Sequence, residues 1–278
     1  LAARAKREDP GVGALTFASF NLTVRVRTED PALLDQLPNY LPHGWQPGVP
    51  STHVDRDYAV SHECNGADGV VYAIRCGGEE VVFRGTLEAV LDALERDIRL
   101  YLVDHARGWL FVHAGVAGWR GRAIVVPAPS RAGKSTLTLE LVRAGASYYS
   151  DEFAVLDESG LVHPFATPLQ LRARPELPQQ RRRPDEVGGQ AGVEPIPVGL
   201  VAAVTYRPGS AERLEELTPG RTVLALLEHV PVGSRPEKTL KILEQTVSGA
   251  RAIAGERGEA AAFARHLLDM IDMDIAFL

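Results

Sequence analysis

Cysteine is scarce in this 278-residue chain, which has two, Cys64 and Cys76. Both fall in strand-like segments around the turn NGADG at residues 65–69. Pairing about that turn sets Cys64 opposite a residue near 70, so the two thiols do not face each other. No metal-ligand spacing surrounds them, and a reduced, cytoplasmic protein is the expectation. An excess of positive charge is also lacking. The 30 Lys and Arg residues against 36 Asp and Glu leave a net charge of −6, which gives no global reason to expect a nucleic-acid partner. Apolar runs are short: none approaches the ~20 residues that cross a bilayer. The opening LAARAKREDP has no signal-peptide core, so no membrane partner is expected either.

The chain otherwise has ordinary globular content, with 45% hydrophobic and 24% charged residues, and length for one large domain or two modest ones. Residues 1–107 read as a small α+β module. FNLTVRVRT alternates like a strand, and PALLDQLPNYL reads as helical until Pro38. DYAVSHEC, GVVYAIRC and EEVVFRG form a meander, and Thr86 is a plausible N-cap for an amphipathic helix reaching Arg107. His62 and Glu63 read as exposed strand residues.

Residues 108–278 carry the chemistry. Their key stretch is PAPSRAGKST, residues 127–136. Gly133-Lys134-Ser135-Thr136 is the tail of a phosphate-binding loop, although the first glycine of that pattern is replaced by Ala128. The apolar run Ala123-Ile124-Val125-Val126 before it predicts a buried strand. Leu137, Leu141 and Val142 after it have helical spacing, and Gly145 is a helix stop. Such a strand–turn–helix turns backbone N–H groups and a helix N-terminus toward phosphates. Ser130, Arg131, Ala132, Gly133, Lys134, Ser135 and Thr136 are therefore the candidate ATP-binding residues. Lys134, expected to be exposed in the empty loop, would reach the β- and γ-phosphates, and the Ser135 hydroxyl would bind Mg²⁺. Ala128 fits if its φ is negative.

Asp151-Glu152 follows Lys134 by seventeen and eighteen residues, on a strand expected to lie beside that of the phosphate loop. Neighbours on a strand point to opposite faces. One carboxylate can then hold the metal while the other accepts a proton from an attacking hydroxyl. His113 ends the strand segment WLFVHAG and can approach the same loop from the neighbouring strand. Residues 172–199, rich in Pro, Gly and Arg, read as a long loop. Its Arg172, Arg174, Arg181, Arg182 and Arg183 are either merely solvated, or able to close over the ATP site or to grip an acidic peptide. Three closing helices are expected in LTPGRTVLALLEHV, EKTLKILEQTVSGA and GEAAAFARHLLDMI.

The stretch HAGVAGWRGRAIVVPAPSRAGKSTLTLELVRAGASYYSDEFAVL resembles the catalytic core of the HPr kinase/phosphorylase family. Its intervals from His113 to Lys134, and from Lys134 to Asp151-Glu152, match without a gap. The C-terminal part is similar to related kinases found beside bacterial peptide-modification genes, including lasso-peptide clusters. The resemblance implies an α/β fold with a P-loop HPr-kinase-like core, a small N-terminal α+β module and C-terminal helices. It implies a kinase using ATP and Mg²⁺ that phosphorylates a serine hydroxyl of a peptide or protein; a homo-oligomer is compatible with the sequence, which leaves the oligomeric state open. His113, Lys134, Asp151 and Glu152 would be catalytic, and Ser135 and Asp151 would hold the metal. Glu152 stands where the family has an aspartate proton acceptor, so Asp151 competes for that role. Glu176 lies near the distance of the family's later glutamate ligand, outside any matching motif. A small-molecule kinase and an inactive nucleotide-responsive binding module are the competing readings.

Overall fold

Alternation of apolar and polar residues shapes the N-terminal part of the chain. The computed structural model describes residues 13–42, 44–48, 53–64, 70–77, 80–129, 132–171, 180–231 and 236–276. The chain is mixed α/β and divides into two units, Leu1–Arg107 and Gly108–Leu278. Each unit contains a large mixed sheet, and the described residues include six α-helices.

In the first unit, β1 (Gly13–Ser19) and β2 (Leu22–Thr28) form a hairpin. Its turn residues Phe20 and Asn21 both have positive φ, 48° and 65°, the twist that suits two-residue hairpins. The segment FNLTVRVRT is therefore a turn followed by a strand, and β1 ahead of it went unread. Next come α1 (Pro31–Gln36), a 3-10 turn at Leu37–Tyr40 and β3 (Gln46–Pro47). The meander is β4 (Arg56–Cys64), β5 (Val70–Cys76) and β6 (Glu80–Gly85). The sheet order is β3-β1-β2-β4-β5-β6. Cys64 pairs with Val70 and Cys76 with Tyr58, so the cysteines lie at opposite ends of the β4–β5 ladder. α2 (Leu87–His105) begins where the Thr86 hydroxyl accepts the Ala89 N–H at 3.3 Å. Its buried stripe is Val90, Leu91, Leu94, Ile98 and Leu102.

The second unit centres on β7 (Leu110–Trp119), β8 (Arg122–Pro127), β14 (Val198–Tyr206) and β16 (Arg251–Arg257). β8, β14 and β16 are parallel, whereas β7 runs antiparallel to β8. Around them lie β9 (Ser147–Ser150), β10 (Phe153–Leu156), β11 (Val162–His163) and β15 (Arg213–Glu216). The path is β11-β10-β7-β8-β14-β16-β15, with β9 on β7. Helices cover both faces. Ile124, Val126, Leu200 and Ala202 meet α3 (Lys134–Arg143) and α6 (Ala260–Ala276), through Leu137, Leu141, Phe263 and Leu267. On the other face Val125 and Val201 meet α4 (Pro219–Leu227) and α5 (Pro236–Val247), through Val223, Leu226, Ile242 and Leu243. Successive strand residues thus feed two cores, which explains the continuous apolar run before the loop.

The long 172–199 segment is more ordered than expected where it is described. β12 (Leu169–Leu171) pairs with β13 (Gln180–Arg182), and a 3-10 turn follows at Asp185–Val187. The three expected closing helices are α4, α5 and α6, and the strand β16 lies between the last two. Among the described residues, no helix is long and apolar enough to cross a membrane.

Candidate functional site

The three parallel strands end on the same side of the sheet, at Pro127, Tyr206 and Arg257, with β14 and β16 running on past the end of β8, the edge where open α/β sheets bind ligands. From β8 the chain passes Ala128 and reaches Gly133, whose φ of 85° starts α3 without a side-chain cap. The first N–H groups of that helix therefore face outward with no capping side chain. Ala128 is buried and is not among the residues of positive φ, so its Cβ is accommodated where glycine is usual. Ala132 and Ser135 are half-buried and Thr136 is exposed. Ser130 and Arg131 lie outside the described residues, as do Arg172, Arg174 and Glu176.

Lys134 departs from expectation, being only 7% exposed. Its ammonium donates to the carbonyls of Ala128 at 2.8 Å and Pro129 at 3.1 Å, which holds the turn around it. Burial pulls its pKa below the ordinary lysine value, while the nearby Asp151 and Glu152 charges raise it. His113 comes from β7, the neighbour of β8. Its Nδ1 lies 3.2 Å from Lys134 Nζ and 3.1 Å from the Ala128 carbonyl. One nitrogen cannot both accept from the first and donate to the second. With Lys134 charged, the Nδ1 lone pair faces the ammonium and the ring proton sits on Nε2. Burial and the Lys134 charge both push the His113 pKa down, against the Ala128 carbonyl, which raises it.

The acidic pair sits elsewhere than expected. β9 and β10 both pair with β7 and not with β8. Asp151 and Glu152 occupy the bend between them, so opposite faces of a strand do not separate their roles. Ser150 shapes that bend, its hydroxyl accepting the N–H groups of Glu152 at 3.2 Å and Phe153 at 3.0 Å. Glu152 is tied to β7 by its own carbonyl, which accepts the Ala114 N–H at 3.1 Å. What distinguishes the acids is burial. Asp151 is 6% exposed and its carboxylate accepts the buried Tyr148 hydroxyl at 2.9 Å, whereas Glu152 is half-buried.

Among the described residues, no three His, Cys, Asp or Glu side chains are grouped to hold a metal ion. Mg²⁺ that arrives with a nucleotide needs less: one or two carboxylates complete a shell of water and phosphate oxygens. The Ser135 hydroxyl and the Asp151 carboxylate are hard oxygen donors of that kind, so the residues fit this metal.

Three further residues went unread. His229, just past α4, accepts the His113 N–H through its carbonyl at 2.8 Å. Burial lowers its pKa, Glu228 raises it and Lys134 lowers it. Arg257, 3% exposed, donates to the carbonyls of Gly133 at 3.2 Å and Gly258 at 3.0 Å. Its guanidinium lies 5.2 Å from the ring centroid of Tyr206, its cross-strand partner. No local motif marks these three; the sheet order brings Tyr206 and Arg257 to the loop, and the His229 carbonyl reaches it through His113. In the basic segment, Arg183 is paired with Asp185 and Glu186, so part of its charge is already met.

No family model matches the chain, and no curated protein matches it.

Proposed function

We propose that this protein is a P-loop kinase of the HPr-kinase type, which transfers the γ-phosphoryl group of ATP to a serine hydroxyl of a peptide or protein. One observation carries the reading. A buried lysine is held at an uncapped helix N-terminus by the carbonyls of its own loop, beside His113 and within the field of two carboxylates.

In this reading the N-terminal N–H groups of α3 and the Lys134 ammonium cradle the phosphates. Mg²⁺, held through Ser135 and Asp151, would neutralise charge on the β- and γ-phosphates. Glu152, the more open acid, accepts the serine proton as the serine oxygen bonds to the γ-phosphorus and the bond to the β–γ bridging oxygen breaks. ADP leaves with that oxygen. The contribution of the protein is positioning and electrostatic stabilisation of an in-line displacement. Neutral His113 keeps a second positive charge away from Lys134 and offers an uncharged donor to the transferring group.

The test is mass spectrometry of serine-containing peptides incubated with the protein, ATP and Mg²⁺. Phosphoserine is expected with the wild type and should be absent with Lys134→Ala. Glu152→Gln should lower kcat roughly 10²- to 10⁴-fold with ATP affinity nearly unchanged, as befits a proton acceptor. Phosphorylation of free serine or a sugar, with no peptide modified, would move the reading to a small-molecule kinase. Binding of ATP without turnover on any acceptor would favour the inactive binding module.

A further inference from the structure

Tyr206 is an aromatic side chain left open at the mouth of the site, with 39% of its surface exposed. It ends β14, whose Leu200, Ala202 and Val204 face α3 and α6. Two residues beyond Val204, it continues that row past the edge of the core. A Cβ built on Gly133 would stand 4.0 Å from Tyr206 Cβ and 2.9 Å from Arg257 Nη2, so the ring begins beside the turn into α3. Three contacts fix it. Its hydroxyl donates to Glu259 at 2.9 Å, Arg257 lies over the ring, and β16 pairs with its backbone.

The sheet order then gives the site a direction. β7 and β14 flank β8 on opposite sides. His113 and the acidic bend lie on the β7 side of the loop, with Tyr206 and Arg257 on the β14 and β16 side. A nucleotide whose terminal phosphate faces Glu152 must extend its other end away from β7, toward Tyr206. We propose that Tyr206, backed by Arg257 and oriented by Glu259, is the platform on which the nucleobase stacks, an inference that rests on the phosphate-loop reading above. An exposed ring held at one angle is prepared for stacking, because little side-chain entropy remains to be lost on binding. The guanidinium on its inner face leaves the solvent side for the base.

Calorimetric titration of the full chain with Mg²⁺–ATP and, separately, with inorganic tripolyphosphate decides the matter. Tyr206→Leu should weaken ATP binding by about 5- to 150-fold, the range that base–aromatic stacking spans, and leave tripolyphosphate binding unchanged. Tyr206→Phe, which keeps the ring but loses the Glu259 contact that orients it, should weaken ATP binding less than Tyr206→Leu does. Thermal melts of both variants check that the fold is intact. Equal weakening of the two ligands would mean that Tyr206 acts on the loop through Gly133, and would overturn the proposal. Unchanged ATP affinity in Tyr206→Leu would overturn it too, while the phosphate site stood. A wild type that binds neither ligand would remove the phosphate-loop reading itself, and the base platform with it.

Discussion

His113 and His229 share one electrostatic situation: both are half-buried, and Lys134 lowers the pKa of each. Burial is the larger cause for both, and at His229 the Glu228 charge works in the opposite direction. Their folded pKa values therefore lie below the ordinary histidine value of about 6.5. On acidification the unfolded chain takes up these protons first, so stability falls with pH wherever it does so. The contribution is complete above about pH 6.5 and declines below it, toward the depressed folded values. We expect urea midpoints of the second unit to drop between pH 7 and 5, and the double variant His113→Gln/His229→Gln to show a flatter slope. Tryptophan fluorescence in a Trp45→Phe background reads this, since Trp109 and Trp119 then report on the second unit alone. Equal slopes would mean that neither ring is held neutral. Of these groups His113 was legible in the sequence, because it precedes the phosphate-loop pattern on the adjacent strand. His229 was not, being 95 residues from Lys134 (229 − 134) and joined to the site through a backbone carbonyl that any residue could supply.

Between elements, the approach of α3 to β7 depends on a missing side chain. A Cβ on Gly115 would collide with Thr138 Oγ1 and stand 3.9 Å from Lys134 Cβ. Thr138 is fully buried, so it has little room to yield. Gly115→Ala should destabilise the protein by about 1–3 kcal/mol, the usual cost of overpacking, and lower turnover by shifting Lys134. Thr138→Ala removes the colliding atom. The double variant should then be less impaired than the sum of the singles, with a coupling of about 0.5–3 kcal/mol. Additive losses in urea titrations would show that Gly115 and Thr138 do not limit the helix–strand distance. Such an approach leaves only a glycine in the sequence, with nothing to name its opposite number. The strand β16 was hidden for a related reason. Its RAIAGER holds one β-branched residue and a glycine, and its strand character comes from β14 and β15 on either side. Tertiary pairing overrides weak local preference here. The strand and helix that flank the turn before Lys134, and the Thr86 cap, were legible because each is written in contiguous residues.

At the scale of the whole molecule, every residue placed at the candidate site belongs to Gly108–Leu278: His113, Lys134, Ser135, Asp151, Glu152, Tyr206, His229 and Arg257. That unit has apolar cores on both faces of its sheet, and its central strands β7, β8, β14 and β16 all come from within it. The first unit has its own six-stranded sheet and its own helix stripe on α2. A unit with a complete sheet and helices on both faces meets the requirements for folding alone. A fragment spanning 108–278 should therefore unfold in one cooperative transition. It should bind Mg²⁺–ATP within about threefold of the full chain, a difference of roughly 0.7 kcal/mol. Activity need not follow binding. If the first unit recruits the acceptor, the fragment would keep ATP affinity and lose kcat/KM for peptide, and adding the unit in trans would restore little at micromolar concentration, because the effective concentration supplied by the covalent link is gone. Calorimetry with ATP and steady-state kinetics with peptide separate the two contributions. A folded fragment that no longer binds ATP would show that residues before Gly108 help to build the nucleotide site, and the assignment of that site to one unit would fall.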